Sequence, residues 1–286
     1  MGDRRIIDLK STFTYQDITL EFLTIGHGTD AILCLHGFGR MAEDFAIFES
    51  LLQPNQRIIA LNLLAHGNSI FPASRISRNP LTKEEWSASI AALLQSLNIE
   101  RFHLAGYSMG GRMAMVLTER MPEKIKSLVL LAPDGLKVNW IYRFVSETKM
   151  GRVLYRSIIE NPNWILRIAD FLRFIRVLHP KIQRFVHVQL ETKSKRQLVY
   201  DAWLIHRQLF PHLSIVAGNM EGHSIPFELI FGVYDKVIPA HDGKRLLKHF
   251  RDAPQPAIIN LGHRLLHPLT VEHLKRSGMW MPSTKT

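Results

Sequence analysis

A serine, an aspartate and a histidine each follow a predicted strand, and together they could carry out acyl transfer. Ser108 lies in the hexapeptide Gly-Tyr-Ser-Met-Gly-Gly, between an apolar strand-like segment at 101–105 and a helical segment at 112–121. Strand, Gly-x-Ser-x-Gly and helix in succession predict a nucleophile elbow, which presents the serine oxygen at a helix N-terminus. The turn is so tight that its neighbours must be small, which accounts for Gly106 and Gly110. We therefore expect Ser108 to act as a nucleophile.

A serine hydroxyl is a weak nucleophile, so it needs a base, and the base needs a group that orients it. Asp235 follows the predicted strand 226–231, and His263 follows the last predicted strand, 257–261. We expect His263 to take the proton of Ser108 and Asp235 to hold the imidazole in the correct tautomer.

Other residues compete for these two roles. Asp134 also ends a predicted strand and is the alternative acid, while His241 and His267 are alternative bases. His263 is preferred because it falls at a turn, whereas the other two lie where helices are predicted.

An oxyanion that forms during acyl transfer needs two backbone N–H donors held in place. The residue after the nucleophile, Met109, is expected to supply one donor. The Gly-rich loop 36–39 (His-Gly-Phe-Gly) follows the apolar run 31–35, and its Phe38 is expected to supply the other.

These motifs, taken together, resemble the α/β-hydrolase fold family. The matching segments run from about residue 31 to residue 263; they are His36-Gly37-Phe38-Gly39, His66-Gly67-Asn68-Ser69, Gly106-Tyr107-Ser108-Met109-Gly110-Gly111, Gly232-Val233-Tyr234-Asp235 and Gly262-His263. The resemblance implies a serine hydrolase with a Ser-His-Asp triad, without specifying a substrate. Ser108 stands where haloalkane dehalogenases and epoxide hydrolases of this fold carry aspartate, so those activities are not expected.

Two local features bear on this resemblance. The family often has Asp-Leu-Pro-Gly before its His-Gly-x-Ser, and here residues 62–65 read Asn-Leu-Leu-Ala, a change in a loop that is structural in the family. The pair Gly111-Arg112 resembles serine C–C hydrolases and the related menaquinone-pathway lyases. That resemblance implies that Arg112 binds an anionic substrate; the alternative is a surface or salt-bridged arginine.

Alternating strands and helices predict an α/β fold with a mostly parallel sheet, helices on both faces and the site at the carboxyl ends of the strands. The strand pattern stops after 127–131 and resumes at 226. We therefore predict an α/β-hydrolase core from 1–136 and 224–286, with an inserted helical cap at 137–223. The resemblance implies that such a cap lies over the active site.

The predicted cap is strongly basic. Between residues 137 and 210 the chain has 14 Lys and Arg against 5 Asp and Glu, a net +9 out of +11 for the whole chain. Three interpretations remain open: a cap whose charges lie in water, an apolar tunnel with a basic mouth for an anionic substrate, or a lid that touches an anionic membrane surface. Nucleic acid binding is not expected, because apolar residues interleave with the charges and no binding motif is present.

The composition, 46% hydrophobic and 21% charged, is that of an ordinary globular protein. A single cysteine, Cys34, excludes an internal disulfide framework and a Cys-rich metal site, and its apolar surroundings predict a buried structural thiol. Residues 1–6 lack an apolar stretch of signal-peptide length, and no stretch approaches the roughly 20 apolar residues that span a bilayer. We expect a cytoplasmic protein that needs no metal or cofactor.

The expected function is hydrolysis of a carboxylic ester or related acyl compound through an acyl-serine intermediate. The substrate is expected to be a small acyl molecule, either anionic or lipid-like. The same three residues could instead cleave a C–C bond beside a carbonyl. A non-catalytic receptor of the same fold, which binds a small ligand in its pocket, is the alternative outside the enzymes.

Overall fold

One sheet organises the chain. The computed structural model describes residues 9–280, apart from the side chains at 9, 181, 182, 185 and 189. The N-terminal residues 1–6, where the sequence analysis expected no signal peptide, lie outside the described residues. Within 9–280 there are eight strands in the spatial order β1-β2-β4-β3-β5-β6-β7-β8. They are β1 (Leu9–Tyr15), β2 (Ile18–Gly26), β3 (Asp30–Leu35), β4 (Gln56–Leu61), β5 (Phe102–Tyr107), β6 (Ile125–Leu131), β7 (Phe227–Gly232) and β8 (Ala257–Ile259).

The sheet is mostly parallel, as the sequence predicted. β2 pairs antiparallel with both β1 and β4, and every other neighbouring pair is parallel. The apolar runs of β3, β5 and β6 are buried, which is the pattern of strands covered on both faces. Cys34 on β3 is fully buried, and burial raises the pKa of its thiol. The carboxyl ends of the parallel strands therefore meet at one edge of the sheet.

Helices connect the strands. They are α1 (Ala73–Ile76), α2 (Lys83–Ser96), α3 (Met109–Arg120), α4 (Trp140–Glu147), α5 (Lys149–Glu160), α6 (Asn163–Phe174), α7 (Pro180–Leu190), α8 (Lys193–Ile205), α9 (Leu213–Gly222), α10 (Lys244–Leu247) and α11 (Pro268–Ser277). The Thr82 hydroxyl accepts the Glu85 N–H and caps α2, at the position where the sequence predicted a capping box. Among the described residues no helix is long and apolar enough to cross a membrane.

The segment predicted as a helix at 41–52 is a 3-10 helix at Ala42–Leu51. Its buried side chains are Ala42, Phe45, Phe48 and Leu51. They recur every three residues, which is the period of a 3-10 helix rather than the 3.6-residue period of an α-helix. The apolar spacing thus accounts for the tighter winding.

The chain divides into two compact units. The first consists of the residues up to Pro72, Leu81–Lys137 and the residues from Gln208 onward; the second consists of Ala73–Pro80 and Val138–Arg207. The sequence placed the whole segment 137–223 in one insertion, whereas residues 208–223 belong to the first unit. The reason is visible at α9, where the Asn219 amide donates to two carbonyls at the end of α3, at 3.0 and 3.1 Å.

The second unit is helical and is organised around α8. Tyr155 of α5 stacks on Tyr200 of α8 with 5.5 Å between ring centroids. The buried guanidinium of Arg196 donates to the Ile159 and Leu190 carbonyls, which ties α8 to the ends of α5 and α7. The Arg207 guanidinium donates to the backbone of residues 76 and 77, so the short segment 73–80 belongs to this unit.

A buried carboxylate fixes the loop that follows β4. Glu21 on β2 is 3% exposed, and its oxygens accept from Asn62 Nδ2 at 2.5 Å, Asn68 N at 2.9 Å and Asn68 Nδ2 at 2.6 Å. Burial by itself would raise the pKa of Glu21, but these hydrogen bonds favour the charged form and hold the pKa below its usual range. The ionised carboxylate therefore holds residues 62–69 against the sheet.

Replacing Glu21 by glutamine is expected to lower the free energy of unfolding by about 2 kcal/mol near neutral pH, because charge-assisted hydrogen bonds are lost. The folded-state pKa of Glu21 lies below the ordinary value of 4.5, so this contribution is present above that pH and disappears as the pH falls through the folded-state pKa. Urea unfolding of both proteins at about pH 7 and about pH 3 measures the difference.

The matched control is Glu49→Gln, which changes an exposed carboxylate on the 3-10 helix and should alter stability by less than about 0.5 kcal/mol. If Glu21→Gln lowers the free energy of unfolding equally at both pH values, the contribution of Glu21 comes from its packing and not from its charge.

Candidate active site

Ser108 lies between the end of β5 and the start of α3, in a strained backbone conformation with φ +52° and ψ −116°. Its N–H donates to the Leu131 carbonyl at 2.9 Å, and its carbonyl accepts from the Asp134 N–H at 2.9 Å. Space around the turn is tight, since a Cβ added at Gly106 would lie 2.6 Å from the Gly110 carbonyl oxygen. These contacts hold a conformation that serine rarely adopts, with its side chain at the start of a helix.

The structure brings Ser108, His263 and Asp235 into one hydrogen-bonded relay. The Ser108 Oγ lies 3.0 Å from His263 Nε2, and His263 Nδ1 lies 2.7 Å from Asp235 Oδ2. An ionised Asp235 accepts the Nδ1 proton, which leaves Nε2 as an acceptor for the serine hydroxyl. This arrangement can move a proton from the serine to the imidazole.

Asp235 is held in place by its own loop. Its side chain is fully buried, and Oδ1 accepts from the N–H groups of Val237 and Ile238 at 2.8 and 2.9 Å. These two bonds orient the carboxylate so that the second oxygen, Oδ2, faces the imidazole of His263. Both oxygens of this buried carboxylate therefore have hydrogen-bond partners, and one of those partners is the histidine.

The side chains of the alternative residues have other partners. Asp134 pairs with Arg112, with 3.5 Å between Oδ2 and Nε, and its Oδ1 accepts the Gly135 N–H. His241 is largely exposed beside Asp242, and His267 caps α11 by accepting the Leu269 N–H. In the described part of the chain no group of three or more His, Cys, Asp or Glu side chains could hold a metal ion.

Tyr107, directly before the serine, contacts the loop of the histidine. Its hydroxyl donates to the His263 carbonyl at 2.9 Å, and the two rings lie 5.4 Å apart. Burial raises the pKa of Tyr107 to about 12, so the hydroxyl keeps its proton and remains a donor. The sequence analysis assigned no role to Tyr107, because its partner is 156 residues away along the chain.

Two buried histidines support the loop that carries Phe38. His66 Nε2 accepts the Gly39 N–H at 3.0 Å, and His36 Nε2 accepts the Leu63 N–H at 3.0 Å. Burial lowers the pKa of His66, which favours the neutral ring that this acceptor role requires. The Phe38 ring packs edge-on against His66 with 5.6 Å between centroids. The motif residues His36 and His66, to which the sequence analysis gave no role, thus fix loop 36–39.

The two predicted oxyanion donors lie at the ends of neighbouring parallel strands. Loop 36–39 follows β3, and Met109 is the first residue of α3, directly after β5 and the serine. The N–H groups in the first turn of a helix have no acceptor within the helix, so the Met109 N–H is suited to bind an anion.

Arg112 is buried one helical turn beyond the serine. Arg112 is only 2% exposed, and its guanidinium lies over the Phe210 ring, 4.6 Å from the centroid. Asp134, whose side chain is 38% exposed, is its ionic partner. The structure therefore presents a guanidinium that a neighbouring carboxylate partly neutralises.

Comparison with known proteins identifies the family of the chain. Residues 30–167 match the family model described as alpha/beta hydrolase fold. A 2-hydroxy-6-oxononadienedioate/2-hydroxy-6-oxononatrienedioate hydrolase of Paraburkholderia xenovorans is 32% identical over 253 residues, which cover 86% of this chain and 85% of that protein. The chain belongs to the alpha/beta hydrolase fold family. The family resemblance and the α/β fold class that the sequence predicted are thus confirmed.

Other relatives of this α/β hydrolase carry different names. Human monoacylglycerol lipase ABHD6 is 25% identical over 254 residues, or 82% of this chain and 70% of that protein. An alpha/beta hydrolase from a Medee basin deep-sea metagenome library has the same fold, with a TM-score of 0.67 at 15% identity, covering 96% of this chain and 99% of that one. A further relative is the dihydrolipoyllysine-residue acetyltransferase component of an acetoin cleaving system from Pseudomonas putida. The chain spans only 58% of the length of that protein.

The strain at Ser108 can be measured in this α/β hydrolase by comparing glycine and alanine at the same position. Glycine adopts a positive φ without steric cost, so Ser108→Gly is expected to be about 1 kcal/mol more stable than Ser108→Ala. Urea unfolding of the two variants gives the difference in the free energy of unfolding.

The control is the same pair at Ser87, inside α2, where glycine should instead be about 1 kcal/mol less stable than alanine. If alanine is the more stable residue at both positions, the turn at Ser108 does not store strain.

Proposed function

We propose that this protein is a serine hydrolase that cleaves a carboxylic ester or a related acyl compound through an acyl-serine intermediate. The observation that carries the proposal is the relay of 3.0 and 2.7 Å that joins Ser108, His263 and Asp235. A serine within hydrogen-bond reach of a histidine, itself oriented by a buried carboxylate, is the arrangement that activates a hydroxyl as a nucleophile.

In the first half of the reaction, the Ser108 Oγ attacks the carbonyl carbon of the ester while its proton passes to His263 Nε2. The carbonyl oxygen becomes an oxyanion that the backbone N–H groups of Phe38 and Met109 stabilise. The C–O bond to the alcohol then breaks, and the imidazolium returns the proton to the leaving oxygen. The Asp235 carboxylate stabilises the imidazolium.

In the second half, water takes the place of the alcohol. His263 removes a proton from the water as its oxygen attacks the acyl carbon, and the same two N–H groups bind the second oxyanion. Collapse of this intermediate breaks the bond to Ser108 Oγ, which regains the proton from His263. The products are one carboxylic acid and one alcohol, and the enzyme returns to its starting state.

An uncharged acyl substrate, including a lipid-like one, fits this site best. The relative named monoacylglycerol lipase supports an ester of this kind. The pairing of Arg112 with Asp134 also supports it, because the guanidinium charge is already partly balanced and does not require an anionic partner.

The first test is hydrolysis of a series of p-nitrophenyl esters, from acetyl to palmitoyl, by the wild-type protein and two variants. Ser108→Ala should abolish turnover, and Asp235→Asn should lower kcat by roughly 10³- to 10⁴-fold, because the imidazole loses its orienting partner. The acyl length that gives the highest kcat/KM reports the size of the acyl site.

Asp134→Asn is the matched control, since Asp134 also follows a strand but pairs with Arg112 instead of His263. It should retain kcat within a few-fold. Activity that survives in Ser108→Ala, or a larger loss in Asp134→Asn than in Asp235→Asn, would contradict the proposed roles. A folded wild-type protein without turnover of any ester would favour a ligand receptor or a narrower substrate.

The second candidate is cleavage of a C–C bond beside a carbonyl, for which the same relay would serve. Two observations favour it: the relative named for 2-hydroxy-6-oxononadienedioate hydrolysis is 32% identical, and Arg112 lies one helical turn from Ser108, where it would bind a substrate carboxylate. In this reaction the leaving atom is a carbon rather than an alcohol oxygen, and that carbon takes the proton from the His263 imidazolium.

Arg112→Gln distinguishes the two candidates. If Arg112 binds a carboxylate, kcat/KM for the 2-hydroxy-6-oxononadienedioate substrate should fall by roughly 10- to 100-fold, because a charge-assisted hydrogen bond is lost, while a neutral p-nitrophenyl ester is little affected. Equal losses with both substrates, in a variant whose circular dichroism is unchanged, would show that Arg112 acts only through packing.

A further inference from the structure

The second unit exposes a run of large apolar side chains near the end of α6. Phe171 is 60% exposed and Phe174 is 83% exposed, and the side chains of Ile168, Ile175 and Val177 are also exposed. We call these five residues the α6 apolar ridge. Ile168, Phe171 and Phe174 follow one another at three-residue spacing, so neighbours along the ridge lie side by side on the helix surface.

The ridge is distinct from the face through which α6 packs. Ala169 is buried, and Leu166 and Leu172 are half-buried on the side of the helix turned toward the other helices of this unit. An amphipathic helix of a globular unit normally turns polar residues outward, so a second apolar face toward solvent is unusual. Exposed apolar groups that lie together mark interaction sites.

The charges interleaved with the ridge are mostly positive. Arg167 and Arg176 are exposed beside its residues, and Asp170, the acidic residue of α6, is engaged by Gln183 and His187 of α7 at 2.7 Å each. The segment 137–210 that contains the ridge carries a net charge of +9. The partner must therefore be apolar enough to take phenylalanine and also negatively charged.

We propose that the α6 apolar ridge docks onto an anionic lipid membrane. Phe171 and Phe174 enter the headgroup region, and Arg167 and Arg176 lie along the lipid phosphates, with their aliphatic stems along the apolar layer. A second copy of the chain fits less well, because it would bring the same positive charge to the contact. The proposal does not depend on the hydrolase activity.

The test is flotation with vesicles of phosphatidylcholine, with and without anionic phosphatidylglycerol. Every protein is the full chain with Ser108→Ala, so hydrolysis of vesicle lipid cannot affect the result. Binding to the anionic vesicles is expected, and high salt should weaken it because the attraction between charges is screened. This salt response tests the proposal without any change to the ridge.

Two double variants then separate the apolar and the charged contributions. Phe171→Ser with Phe174→Ser should lower the partition coefficient by roughly tenfold or more, through lost apolar burial. Arg167→Gln with Arg176→Gln should lower binding to anionic vesicles by roughly tenfold or more and leave the weak binding to neutral vesicles unchanged.

The matched controls are Ile258→Ser, an exposed apolar side chain on β8 of the first unit, and Lys244→Gln with Lys248→Gln, two exposed lysines at α10. Both should bind like the parent. Binding that is unchanged in the phenylalanine variant, or equal on neutral and anionic vesicles, would overturn the proposal. Concentration-dependent self-association without vesicle binding would assign the ridge to a second copy.

Discussion

The turn at Ser108 is the constraint on which the rest of the site depends. A serine with φ +52° is held there because its own peptide groups bond to the end of β6 and to Asp134, and because no side chains crowd the turn at Gly106 and Gly110. The close approach of β5 and α3 that follows from this brings the serine oxygen and the Met109 N–H to the same point of the sheet edge. The backbone strain is therefore compensated by contacts of the sheet, and the position of the nucleophile is set by main-chain geometry rather than by a flexible side chain.

The loops around the serine are held by three buried polar groups: Glu21 on β2, His66 in the loop after β4 and Tyr107 at the end of β5. The carboxylate of Glu21 holds the loop after β4, and that loop supplies His66, which accepts from loop 36–39. On the other side, the Tyr107 hydroxyl holds the main chain of His263. Burial keeps His66 neutral and Tyr107 protonated, so each group retains the one hydrogen-bonding role that its position requires. Groups that are polar, buried and paired in this way position a site with little freedom to rearrange.

The sequence predicted those features of the fold and the site that depend on residues close together along the chain. Continuous apolar runs predicted the parallel strands, and Gly-x-Ser-x-Gly between a strand and a helix predicted the turn at Ser108. Spacing alone left Asp134 and Asp235 as alternative acids, because both follow strands, and only the folded chain shows which one faces His263. Tyr107 and Glu21 were missed because their partners are far away in sequence. The division into two units differs from the predicted insertion 137–223 for a related reason: the apolar pattern of α9 shows that it packs, but not that it packs on α3.

The relay alone does not choose between ester and C–C cleavage, since both reactions need the same nucleophile, base and acid. The choice must come from groups that bind the rest of the substrate, and Arg112 is the buried cation nearest to the serine along α3. Its guanidinium is already in contact with Asp134 and Phe210. A substrate carboxylate would have to displace Asp134 or share the guanidinium with it, and repulsion between the two carboxylates would offset part of the attraction. A neutral ester meets no such opposition, which is the physical reason to place ester hydrolysis ahead of C–C cleavage for this chain.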